Sequence, residues 1–150
     1  MSFDIRLATH DDQQTIEEII QESFSIYIPL INRKPQPMLD DYGALIKDGH
    51  VYVIERDGET KGTVMLVPET DSMLVDNIAV AESARGTGLG RKMLEFADEA
   101  ARRAGYHTVQ LHTNEMMVEN IAIYTRLGYV ETHRAENKGF QRVYMAKTLS

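Results

Sequence analysis

Apolar positions along the chain follow two rhythms. Phe3–Ala8 alternates apolar and polar side chains, the period of a half-buried strand. Thr9-His10-Asp11-Asp12 then supplies short polar side chains suited to a helix start. Ile16, Ile19, Ile20 and Phe24 recur at helical spacing and predict a helix over 12–23. Pro29, Pro35 and Pro37 follow, among Tyr27, Ile28, Leu30, Ile31 and Met38. Proline breaks regular helix, so this stretch reads as an apolar irregular connection with room for one helical turn. Asp40–Lys47 predicts a short helix. From Gly49 the period shortens to two. His50–Arg56 and Gly62–Pro68 read as strands around the Asp57-Gly58 turn, and Ser72–Val80 as a third strand, the three forming an antiparallel meander. Leu89, Met93, Phe96, Ala97, Ala100, Ala101 and Ala104 mark the apolar face of a helix that Gly105 ends. Tyr106–Thr113 is strand-like, and Asn120–Leu127 is a short helix stopped by Gly128. Tyr129–His133 and Arg142–Lys147 read as two strands around a loop containing Gly139. No repeat, linker or domain boundary interrupts the pattern, so residues 1–150 are expected to form one domain.

Composition narrows the function classes. Sixteen Lys+Arg against 23 Asp+Glu leave a net charge of −7, which disfavours general nucleic-acid binding, since that needs cations to neutralise phosphates. An acidic balance permits a cationic or amine-bearing partner. The chain has no cysteine, so thiolate nucleophiles, disulfides and Cys-ligated metals are excluded. The five histidines show no paired ligand spacing, and no metal is expected. No apolar run approaches 18 residues, and Met1–Arg6 does not read as a leader, so no membrane association and a cytoplasmic location are expected.

The candidate chemistry begins at Arg85-Gly86-Thr87-Gly88-Leu89-Gly90, between an apolar strand and a helix. Unpaired amides at such a junction, reinforced by the helix dipole, attract anionic oxygens, and glycines let a phosphate reach the backbone. The spacing is neither Gly-x-Gly-x-x-Gly nor a P-loop, because Arg91 stands where either would need another residue. What remains is Arg-x-x-Gly-x-Gly after a strand.

Ile78-Ala79-Val80, four residues, the glycine loop and a helix carrying Leu94 and Ala97 resemble the acetyl-coenzyme A motif of the GNAT N-acetyltransferase superfamily. Asn120-Ile121-Ala122-Ile123-Tyr124-Thr125-Arg126-Leu127-Gly128-Tyr129 resembles that family's second cofactor segment. The order of elements matches along essentially the whole chain. The resemblance implies an α+β fold: a mixed, mostly antiparallel sheet flanked by helices and split at the acetyl-CoA site. It implies direct acetyl transfer to an amine, without an acyl-enzyme. Ile78, Ala79 and Val80 would bond the pantetheine arm through their backbone, and Arg85, Gly86, Thr87, Gly88, Leu89, Gly90 and Arg91 would hold the phosphates. Tyr124 would donate a proton to the departing thiolate. The family commonly carries Asn seven residues before this Tyr, where this chain has Met117; Asn120 is the expected cofactor contact, and Asn114 could share its role.

For the base, Asp76 and His112 are both candidates, acting directly or through water. Alternation sends Asp76 and Asn77 to opposite faces of their strand. The acceptor amine, a small molecule or a peptide, is left open, as is a homodimer. Two other readings stand beside the first: acetylation of a protein N-terminus or lysine, and a non-catalytic acyl-CoA-binding or sensing module. Phe24–Leu39 is the expected wall of the acceptor pocket, with His133–Phe140 as the other candidate region.

Overall fold

The computed structural model describes residues 3–150; Met1 and Ser2, part of the amino-terminal run read above for a leader, lie outside the described residues. The elements are β1 (Phe3–Leu7), α1 (Gln13–Phe24), α2 (Ile28–Ile31), α3 (Tyr42–Lys47), β2 (Val51–Arg56), β3 (Glu59–Pro68), β4 (Met73–Val80), α4 (Leu89–Arg103), β5 (Thr108–Asn114), α5 (Val118–Arg126), β6 (Val130–Asn137) and β7 (Phe140–Thr148). Hydrogen-bonded neighbours follow the order β1-β2-β3-β4-β5-β7-β6. The β4–β5 pair is parallel, whereas β1–β2, β2–β3, β5–β7 and β6–β7 are antiparallel. This is the mixed, mostly antiparallel α+β class expected from the sequence.

The chain divides into two compact units, each drawn from two segments. The first comprises the chain through Leu66 together with Asn77–Phe96. Here Asp57 and Gly58 take φ values of 53° and 84° and close the β2–β3 hairpin in two residues. On α1, Ile16, Ile19, Ile20 and Phe24 are buried, the stripe their spacing predicts. Gly62 on β3 is required by close approach. An added Cβ would lie 2.9 Å from both Ile54 and the Met93 methyl, and 3.1 Å from the Ala79 carbonyl. The proline-rich connection holds one α turn (α2) and a 3-10 turn at Gln36–Met38. It leaves Ile26, Leu30 and Leu39 exposed.

The second unit comprises Val67–Asp76 and Ala97–Ser150. Met73, Leu74 and Val75 of β4 pair with Val109, Gln110 and Leu111 of β5, and β5 pairs with β7 along its whole length. Val109, Leu111, Val143 and Met145 are buried, while the alternate positions Gln110, His112, Asn114 and Tyr144 are half-buried on the other face. The expected loop around Gly139 is instead a two-residue turn. Lys138 and Gly139 take φ values of 54° and 81°, so β6 runs on to Asn137 and β7 begins at Phe140. The physical reason is that Lys138 accepts the left-handed conformation more often associated with Asn or Asp.

Candidate active site

In the first unit, α1 braces the approach to the glycine loop. The Ser23 hydroxyl donates to the Val80 carbonyl at 3.1 Å, and the Glu22 carboxylate accepts from the Glu82 amide. Ala79 is buried, with Ile78 and Val80 half-buried on either side of it. The Thr87 hydroxyl donates to the Ala84 carbonyl and tightens the turn. Gly86 and Gly88 have φ values of 75° and 85°, and a Cβ on either would meet nothing within 4 Å. Leu89 is buried, so its side chain belongs to the core and only its amide serves the loop. An open backbone surface leading into a 15-residue helix therefore fits a pyrophosphate. Arg85 and Arg91 are exposed, with Arg91 lying 4.0 Å from Glu95. Lys92 is turned toward Phe3, its ammonium 5.3 Å from the ring centre.

In the second unit, the β4–β5 ladder stops at Val75 and Leu111. The next residues, Asp76 and His112, meet through their side chains, with Asp76 Oδ1 3.0 Å from His112 Nε2. Both are mostly buried, at 28% and 13% side-chain exposure. A carboxylate only accepts, so a neutral ring that donates to it does so through Nε2–H and carries its lone pair at Nδ1. His112 lies opposite Tyr144, with ring centres 5.9 Å apart, and Tyr144 stacks on His133 at 4.4 Å and 5°. The structure thus brings the two candidate bases into one pair. In the first unit, Asn77 Nδ2 donates to the Tyr42 hydroxyl at 3.1 Å.

Tyr124 is half-buried on α5, its ring 6.0 Å from that of Tyr129 in an edge-to-face arrangement. Met117 is buried and its sulfur takes donors from Thr113 Oγ1 (3.5 Å) and Asn120 Nδ2 (3.7 Å). Asn114 Oδ1 accepts from the Met116 amide at 2.9 Å and so braces the turn into α5. Both asparagines thus have a local task in that turn. Sequence reasoning missed Asp98 and Lys147, an ion pair whose lysine lies over the Tyr129 ring. The Lys147 ammonium is 2.7 Å from Asp98 Oδ2 across 49 positions, a separation with no periodic signal.

The Acetyltransferase (GNAT) domain family matches residues 47–131. The chain belongs to the GNAT acetyltransferase family. Membership makes it an acyltransferase of the N-acetyltransferase type, in a family that uses acetyl-CoA as cosubstrate. The uncharacterized N-acetyltransferase YjgM of Escherichia coli K12 is 29% identical over 134 residues, covering 83% of this chain and 80% of that one. The aminoalkylphosphonate N-acetyltransferase of Salmonella typhimurium LT2 is 25% identical over 138 residues, 87% of this chain and 86% of its own. A GNAT-family acetyltransferase structure from Streptococcus agalactiae 2603 superposes with a TM-score of 0.83 at 19% identity, covering 99% of this chain and 96% of that one. That likeness is of fold.

Proposed function

We propose that this GNAT protein transfers an acetyl group from acetyl-CoA directly to a primary amine, with His112 as the base that receives the amine proton. The observation that carries the reading is the Asp76–His112 pair. Asp76 fixes the ring and its tautomer, leaving Nδ1 to accept the proton. Asp76 is then a positioning residue rather than a second base. Gly86, Gly88 and Gly90, with the amides that open α4, hold the cofactor phosphates, and the backbone of Ile78–Val80 holds the pantetheine arm. Arg85 and Arg91 add positive charge beside the loop, and Asn120 is a further cofactor contact. Bound acetyl-CoA supplies the activated acetyl thioester. Tyr124 supplies the proton that the departing sulfur needs, because a phenol is neutral and protonated near pH 7.

The test is thiol release from acetyl-CoA across amines, amino acids, polyamines and peptides, with acetyl-CoA binding measured beside it. Release with one amine class supports the enzyme and names its acceptor, peptides alone pointing to protein acetylation. Tight binding with no release from any amine would instead support a sensing module. In His112→Asn, kcat/KM should fall by roughly 10²–10⁴-fold near neutral pH, the usual worth of a positioned base. The loss should shrink as pH rises toward the pKa of the acceptor amine, where free amine no longer needs a base. A pH-independent loss would remove His112 from that role.

A further inference from the structure

Two buried polar atoms lie in the second unit without a hydrogen-bond partner among the described residues: the Tyr129 hydroxyl and Asp98 Oδ1. Tyr129 is 1% exposed and Asp98 8%. Burying an unsatisfied hydroxyl or carboxylate oxygen is costly, so two in one region call for a reason beyond packing. Lys147 joins them. Its ammonium lies 2.7 Å from Asp98 Oδ2 and 5.7 Å from the centre of the Tyr129 ring. Its stem crosses Gly128, where an added Cβ would stand 3.8 Å from Cδ and Cε. The Tyr129 amide in turn donates to the Tyr124 carbonyl at 3.0 Å, and the two rings meet edge to face. Two elements and a connection therefore converge beyond the end of α5: α4 through Asp98, β7 through Lys147, and the link from α5 to β6 through Tyr129. Burial and the negative charge of Asp98 hold the Tyr129 phenol above its ordinary pKa, so it stays protonated.

We propose that Lys147, clamped by Asp98 and seated on Tyr129, is a positioning residue that sets the ring of Tyr124. The inference rests on the reading of Tyr124 as proton donor. In that role the Tyr124 Oη–H bond breaks, its electron pair stays on the phenolate oxygen, and the proton goes to the departing sulfur. Solvent then restores the proton. A misdirected ring would slow this step and leave cofactor binding alone.

The experiment compares Lys147→Met, Lys147→Arg and Tyr129→Phe, alone and combined with Tyr124→Phe, after thermal melts confirm folding. Lys147→Met keeps the stem and removes the charge. It should lower kcat roughly tenfold with the acetyl-CoA KM within about twofold, since small misplacements can cost up to about a hundredfold. Lys147→Arg should restore most of the rate. In the Tyr124→Phe background, Lys147→Met should cost nothing further, the non-additivity expected of groups acting through one another. A readout independent of turnover is the ring-carbon NMR signal of Tyr124 in tyrosine-labelled protein, assigned by its loss in Tyr124→Phe. Lys147→Met should shift or broaden that signal in the free protein. Additive losses in the double variant, or an unmoved Tyr124 signal, would overturn the proposal. If Tyr124→Phe alone leaves kcat unchanged, the proton-donor reading has failed, and the NMR signal still decides whether Lys147 positions the ring.

Discussion

Gly88 shows how one residue type carries the cofactor argument. Its φ of 85° lies where an L side chain is strained, yet the space above it is empty to 4 Å. A substitution there meets no neighbour in the fold; it meets whatever approaches the loop. Gly88→Val should therefore cost acetyl-CoA affinity by roughly tenfold or more while lowering stability only by the strain of one residue, about 1–3 kcal/mol. Calorimetric titration beside a denaturant melt separates the two. Unchanged affinity in a folded variant would remove Gly88 from the cofactor site. This residue was legible in the sequence because the loop, its strand and its helix are contiguous. The Asp76–His112 pair was only half legible. Both residues could be named as candidates, but their contact depends on the register that sets Val75 beside Leu111, and register is not written in either strand alone. Asp98 and Lys147 were not legible at all, since one reads as a helix polar position and the other as a strand end.

Elements were read well where period and punctuation agreed, as in α1, α4 and the Asp57-Gly58 hairpin. They were misjudged where a turn used a less usual residue, as at Lys138, or where a helix began before its first strong signal, as α5 does at Val118. The junction of β1 with α1 offers a test of local electrostatics. The Arg6 guanidinium donates to both oxygens of Asp12, at 2.8 and 3.0 Å, and also to Glu55. Asp12 further accepts from the Thr9 amide at 2.7 Å, so it ties the strand to the helix start. These bonds hold the Asp12 carboxyl at about 2, below its ordinary 3.8. A carboxylate with a lowered folded pKa adds stability that is complete above the unfolded value and disappears as pH falls through the folded one. Asp12→Asn should thus be less stable than the unsubstituted chain by on the order of 1–2 kcal/mol at pH 6, allowing for solvent around Arg6. That gap should close as pH falls from about 4 toward about 2, read from urea midpoints at each pH. A gap constant down to pH 2 would show that the carboxylate charge is not what joins β1 to α1.

At the scale of the whole molecule, the order of elements and the family were legible because they follow the chain. The division into two units was not, because each unit draws on two segments joined by pairings distant in sequence. The net charge of −7 is also a property of the whole molecule, and it bears on the acceptor. At ionic strengths below about 0.1 M, where the screening length is roughly 10 Å or more, a net-acidic protein draws cations toward its surface and repels anions. An acceptor with several positive charges gains from that field, whereas a zwitterionic amino acid does not. If the enzyme works on polycationic amines or lysine-rich peptides, their KM should rise several-fold between 50 and 500 mM salt, as expected for steering that salt screens. A zwitterionic acceptor assayed beside them should change by less than about twofold, since it has little net charge to steer. The comparison must be made with acetyl-CoA saturating, because binding of its own charged phosphates also depends on salt. Equal salt response for both acceptors would mean that the global charge plays no part in acceptor choice, and that selection rests on short-range contacts alone.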